Sequence, residues 1–366
     1  MKRGTIVLII FAIIAAGVVG VSLFLQNQPP LEITVAVDPL AEDWIRESAD
    51  AFNASDTLIN GTRRVQVNVI STSDLDVWQN TRTNFWTAEN HPELWIPASS
   101  ASVTYAARAN IPFNVVTEST ARTPLLWGGY ANRVDLLTAD GEAFDWSQVV
   151  MAAETESWQA LGGGNGFVNL AFLLPDRTMG GLGVLLSASA AYNDTVNLSG
   201  GVISRDFYDW LTPVIDSVQN FNTIGNDIAQ FMARNRASVD IAIGPEVQWL
   251  NGLDGITRNG EVRFSYPEYA FVFDFPVAQW EDPATTSEEL SAGQAFANYL
   301  LDDARQTRAI AHGLRPAVGA PPVTASLFST AEAYGVLIDP PLDTNVIQPP
   351  SATDIQSLIQ WFTTTQ

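Results

Sequence analysis

At 366 residues the chain exceeds one typical domain and has room for two. Its 46% apolar and only 16% charged residues exclude a disordered acidic tail protein, and the absence of cysteine excludes disulfides, thiol catalysis and cysteine-ligated metal. A net charge of −22, with Lys2 the only lysine, repels phosphate backbones and argues against a nucleic-acid partner; the plain reading of that charge is solubility outside a cell.

Residues 5–25, TIVLIIFAIIAAGVVGVSLFL, carry no charge. As a helix rising about 1.5 Å per residue they reach across the roughly 30 Å hydrocarbon core of a bilayer. Lys2 and Arg3 precede them, which keeps the amino end in the cytoplasm and the body outside. The expectation is an N-terminal transmembrane helix that stays as a membrane anchor. The open alternative is a signal peptide cut after Gly20-Val21-Ser22, the one passable small-residue site. Gln26-Asn27-Gln28-Pro29-Pro30 then reads as a short stiff tether.

Beyond the tether, strand-like and helix-like runs alternate. Residues 31–37 (LEITVAV) are a β-rich run ended by Asp38-Pro39, and 41–52 place Trp44, Ile45, Ala49 and Phe52 at helical spacing. Residues 64–70 alternate as a strand, 74–86 read as a helix, 93–96 as a strand broken at Pro97, and 101–109 as a helix capped from Ser99 or Ser100. This order predicts a parallel sheet covered by helices. A second series follows: strand 124–129, helix 145–154, strand 166–174, helices 178–192, 205–218 and 226–236, then strands 239–244 and 269–277. Residues 286–312 are predicted as one long amphipathic helix ending at Gly313. Ser351 caps a last helix with Ile355, Leu358, Trp361 and Phe362 inward.

Catalytic and cofactor motifs fail on placement. Gly162-Gly163-Gly164-Asn165-Gly166 precedes a strand, whereas a dinucleotide loop follows a strand and opens a helix, so a plain turn is expected. The two histidines, His91 and His312, belong to no metal-ligand pattern, and there is no GxSxG elbow. Close acidic pairs such as Asp74 and Asp76 read as solvated faces among 40 acidic residues. The expectation is a protein without catalytic activity, resident cofactor or metal.

The specific signal lies in four ordered passages. Residues 292–301 (AGQAFANYLL), followed by Gln306-Thr307 and His312-Gly313-Leu314-Arg315-Pro316-Ala317, resemble the AxxFxxFLLSxxxQxxxxxxGFRP passage of bacterial periplasmic solute-binding proteins. Glu93-Leu94-Trp95-Ile96-Pro97-Ala98-Ser99-Ser100 resembles the vWiPaSs stretch of the extracellular solute-binding family that includes molybdate-type binders. Pro175-Asp176-Arg177-Thr178-Met179-Gly180-Gly181-Leu182 resembles that family's dPxxSxxGl helix start, and Phe275-Pro276-Val277 its yPv return strand. Thr178 and Leu314 depart from the pattern, where serine and phenylalanine are usual, and the lipobox cysteine is missing.

The resemblance implies an α/β, two-lobed, type II periplasmic-binding-protein-like fold. Residues 1–30 would be anchor and tether, 31–121 and 270–366 the first lobe, and 122–269 the second. It implies an extracytoplasmic receptor that closes on a small polar ligand, an oxyanion or a sugar, and presents it to an ABC-type permease. A membrane-anchored sensor or surface scaffold with the same fold is the alternative. Open α/β sheets take ligands outside the carboxyl ends of their strands. That rule directs attention to Asp38, Ser99, Ser100, Arg177, Thr178 and Glu246. Ser99-Ser100 and Arg177-Thr178 open helices, whose free amides suit a polar oxygen, although serine and threonine also cap helices that bind nothing. Trp127 and Tyr130, just after the first crossing, are placed to stack on a ligand or to fill the core.

Overall fold

The computed structural model describes residue 13 and residues 29–59, 61, 63–78, 86–138, 142–199 and 203–365. The expected membrane segment, 5–25, lies outside the described residues apart from Ile13. No helix among the described residues is long and apolar enough to cross a membrane.

Two sheets organise the chain. β1 (Leu31–Val37), β2 (Leu58–Ile59), β3 (Arg63–Ser71), β4 (Leu94–Ile96) and β5 (Phe113–Thr117) come first in sequence. β6 (Ala121–Tyr130), β7 (Leu170–Phe172), β8 (Ile241–Pro245), β9 (Val262–Ser265) and β10 (Val272–Phe273) follow, then β11 (Val277–Trp280) and β12 (Arg315–Pro316). The first sheet runs β2-β3-β1-β4-β11-β5, and the second β10-β6-β8-β7 with β9 and β12 also on β6. β1 pairs in parallel with β3, from Leu31↔Val65 to Val37↔Ser71, and with β4. β11 enters the first sheet beside β4, although β6 to β10 of the second sheet precede it in sequence.

The central strands are apolar because helices cover both faces. Ile33, Val35, Ala36 and Val37 of β1 are fully buried. Helix Glu42–Ala54 brings Trp44, Ile45, Ala49 and Phe52 onto this sheet, as its spacing predicted. Phe52 meets Phe296 and Tyr299 edge-on at 5.3 and 5.2 Å, so helix Ser287–Leu300 from the return segment closes the same core. In the second lobe, helix Met179–Asn193 is buried on every side through Ala190, which explains its small and aliphatic composition.

Three departures from the sequence reading have local causes. The predicted helix 286–312 is two helices, Ser287–Leu300 and Asp303–Ala311, because Asp302 takes an extended conformation and restarts the chain. The predicted strand 269–277 is interrupted at Phe275, a buried residue in the left-handed region at φ 42°. There the chain leaves the second sheet and enters the first. The return segment, expected to lie wholly in the first lobe, is shared: Phe362 of helix Ala352–Thr365 packs on Phe172 of β7 and on Phe221, and Trp361 stacks on Tyr208 at 4.1 Å.

Candidate functional site

A cavity of about 400 Å³ lies between the sheets. Its wall is assembled from strand ends: Asp38 follows β1, Ser73 follows β3, Leu173 and Arg177 follow β7, and Val247 follows β8. All four strands belong to parallel pairs, so the cavity sits outside carboxyl ends contributed by both sheets.

On the first-lobe side, the Asp38 amide donates to the Ile96 carbonyl at 2.9 Å and its carboxyl accepts from the Leu40 amide at 3.0 Å. Behind it lies Asp74, fully buried, whose two carboxyl oxygens accept from the Ala98 amide at 3.1 and 3.0 Å while one also accepts from the Ser102 hydroxyl at 2.6 Å. The two carboxyls lie close enough for each to act on the other's titration. Burial pushes Asp38 up to about 6. Burial, and then the neighbouring Asp38 charge, push Asp74 well above the ordinary carboxylate range. Two carboxyls in contact cannot both ionise cheaply, so the pair holds a proton.

On the second-lobe side, Thr178 caps helix Met179–Asn193: its hydroxyl oxygen accepts from the Gly181 amide at 3.0 Å. The first-turn amides of a helix have no partner within it, and Met179 and Gly180 face the cavity. Gly181 is required here, since an added Cβ would stand 2.3 Å from the Leu173 carbonyl oxygen. Gln248 braces the wall, accepting from the Ile228 amide at 3.1 Å and donating to the Asn226 carbonyl at 2.8 Å. The lobes touch at the rim, where the Ser73 hydroxyl donates to the Arg177 carbonyl at 3.0 Å and the Asn251 amide to the His312 carbonyl at 2.9 Å.

Of the sequence-predicted residues, Asp38, Arg177 and Thr178 meet on this cavity. Ser99 and Ser100 do not line it. Ser99 is a buried N-cap whose hydroxyl oxygen accepts from the Ala101 amide, and the Ser100 amide donates to the Asp274 carboxylate at 2.8 Å. That helix start is already served by an anion of the protein itself. Glu246 is also displaced from the cleft reading: fully buried, it forms a two-armed ion pair with Arg315 at 2.7 Å on each arm and accepts from the Tyr266 hydroxyl. Trp127 and Tyr130 are core residues, Trp127 edge-on to Trp146 at 4.9 Å and Tyr130 beneath the Arg236 guanidinium at 3.8 Å. Sequence reasoning missed Trp44, Asp43, Asn226, Asp227, Gln248 and Asn251 on the wall and gave His312 no place in the site. The only available signal was position: Gln248 follows a strand end, and Asn226-Asp227 opens a helix.

No family model matches the sequence, and neither does any curated protein. Among solved structures, the chain is similar to the sulfate-binding protein SubI of Mycobacterium tuberculosis at 17% identity, covering 84% of this chain and 92% of that one with a TM-score of 0.52. It is similar to maltose-bound MalE3 of T. maritima at 14% identity, with 92% and 93% covered and a TM-score of 0.59. It also resembles the apo ferric ion-binding protein A of Pasteurella haemolytica at 11% identity, with 91% and 97% covered and a TM-score of 0.57. At these identities the likeness shows the fold: the chain has the two-lobed α/β architecture of the periplasmic-binding-protein type.

Proposed function

We propose that the protein is an extracytoplasmic solute-binding receptor that encloses a small polar ligand between its lobes and delivers it to an ABC-type permease, without catalysis. The observation that supports this reading is the cavity at carboxyl ends from both sheets, lined from one lobe by Asp38 and Ser73 and from the other by Arg177 and Thr178. The similar solved structures carry names of sulfate-, maltose- and ferric-ion-binding proteins, which is consistent with a receptor role. The lobes follow the sheets: β1–β5 with β11 and helix Ser287–Leu300 form the first, and β6–β10 with the C-terminal helix the second.

The test is a thermal-shift screen of oxyanions, sugars, amino acids and metal ions. A ligand at one hundred times its Kd stabilises the protein by about 2.7 kcal/mol. A compound that raises Tm in the parent and not in a Ser73→Trp variant, which sets a large side chain at the cavity rim, supports the receptor. Failure of the whole panel to shift Tm counts against it.

The uncharged segment 5–25 behind Lys2 and Arg3 supports a body held outside the membrane by a retained helix. Membrane fractions should keep the full chain, and deletion of residues 1–30 should release a folded body. A mature protein beginning near Leu23 would mark the segment as a signal peptide.

A further inference from the structure

The charges on the cavity wall define its occupant more narrowly than the word polar. Asp38 is about 4% exposed and lines the cavity. The groups that face it are Asp74 behind it, Glu42 and Asp43 on the following helix, Arg177 and Asp227 from the second lobe, and His312 from the return segment. His312 is engaged by Glu47 at 2.7 Å, and Asp227 caps its own helix through the Gln230 amide at 2.9 Å. No ion pair among the described residues involves Arg177, an exposed residue on the cavity wall just ahead of the helix whose first residues, Met179 and Gly180, also line it. The first-lobe wall is thus negative, and the second-lobe wall is positive at Arg177.

An oxyanion would neutralise Arg177 but lie against Asp38 and Asp43. An uncharged sugar would desolvate both poles on closure and neutralise neither, which is costly for buried charge. An organic cation would leave Arg177 facing it without a partner. We propose that the cavity takes a zwitterion of amino-acid size, its ammonium on the Asp38 side and its carboxylate at Arg177 and the amides of Met179 and Gly180. This assignment rests on the receptor reading and deepens it. The arginine fork matches a carboxylate on two arms, and the cavity's size falls in the small-ligand range of roughly 300–1,000 Å³.

The ammonium needs Asp38 ionised. Asp38 titrates at about 6, raised by burial, so affinity for the zwitterion should hold above that pH and fall about tenfold per unit below it. A sulfate site would show the opposite slope and a sugar site little slope.

Calorimetric titration of the purified full chain tests this with the twenty amino acids, glycine betaine, maltose and sulfate. At least one zwitterion should bind, at least about tenfold tighter than its amino alcohol or its desamino acid, which lack the carboxylate and the amine. Arg177→Gln should remove that advantage over the amino alcohol. Maltose or sulfate binding without any zwitterion would overturn the assignment and leave the receptor reading standing. A zwitterion no tighter than its amino alcohol, or with affinity flat across pH 5–7, overturns it as well. Silence of every probe overturns both.

Discussion

Thr120 gives both its amide, at 3.1 Å, and its hydroxyl, at 2.7 Å, to the carbonyl of Phe275. The two residues stand at the two places where the chain passes between sheets, so one fully buried threonine bolts the outgoing crossing to the returning one. Gln306 extends the bolt, donating to the Thr120 carbonyl at 2.9 Å and accepting from the Ala317 amide at 2.9 Å, beside β12 where the chain pairs with β6 once more. Thr120→Val keeps the branched shape and removes the hydroxyl. Stability should fall by about 1 kcal/mol, the net worth of one neutral hydrogen bond. The shift in urea midpoint at constant m measures it.

The Arg315–Glu246 pair should be far more sensitive. Arg315 also donates to the Leu337 and Ile338 carbonyls, each at 2.7 Å, so one guanidinium joins β12, the start of helix Glu246–Thr257 and the 337–338 loop. Its burial is nearly complete, and removing one partner leaves an uncompensated charge. Glu246→Ala should cost about 3–5 kcal/mol. Because Leu314 and Val247 line the cavity on either side of this pair, any ligand should also dissociate faster. Urea unfolding and stopped-flow dissociation read the two effects.

The acid pair sets a pH dependence with a definite sign. Asp38 and Asp74 are both raised above the ordinary 3.8, so their contribution to stability is complete below 3.8 and is lost as pH rises, for Asp38 through about 6. Asp38→Asn should therefore be more stable than the parent at pH 7, with the gap closing toward pH 4. Glu47 acts in the opposite sense: hydrogen bonds from Arg308 and then His312 hold it down at about 2, so its contribution is present above 4.5 and is lost as pH falls toward 2. Urea midpoints of the parent, Asp38→Asn and Glu47→Gln across pH 3–8 separate the two limbs. A gap between parent and Asp38→Asn that does not change with pH would refute the raised titration of Asp38.

Legibility of this fold in the sequence followed range. Helix Glu42–Ala54 declared its inward face by spacing, and β1 declared burial by a run of branched residues, because both patterns are local. The rule that ligands lie beyond strand ends located Asp38 and Arg177 on the cavity without any contact being known. The failures are long-range. Ser100 reads as an open helix start until Asp274, 174 residues away, is found bonded to its amide. Glu246 reads as a cleft acid until Arg315, 69 residues away, claims it. Asp74 and Asp76 read alike as solvated acids, yet Asp74 is fully buried and Asp76 exposed, since only the fold brings Ala98 and Ser102 over one of them. The break at Asp302 had a local signal that the periodicity reading passed over: an aspartate ahead of an acidic first turn, opening a helix that buries Ala309 alone.

Two helix starts give the last prediction, because they separate capping from binding. Ser99→Ala removes a cap and should cost about 1 kcal/mol. Ligand affinity should be unchanged, since Ser99 lies off the cavity and the adjacent amide is taken by Asp274. Gly181→Ala acts on the other start. Its Cβ would meet the Leu173 carbonyl oxygen at 2.3 Å and Leu174 backbone atoms at 2.6 and 2.7 Å, and backbone cannot swing aside as a side chain would. Overpacking there should cost about 3 kcal/mol, and relief requires the 173–178 loop to move, carrying Arg177 and Thr178 with it. Gly181→Ala should therefore lose both stability and affinity. Gly164→Ala, where an added Cβ meets nothing within 4 Å, should lose neither. Urea midpoints and calorimetric affinities of the three variants decide the point: a loss of affinity in Ser99→Ala comparable to that in Gly181→Ala would move the site to the other helix.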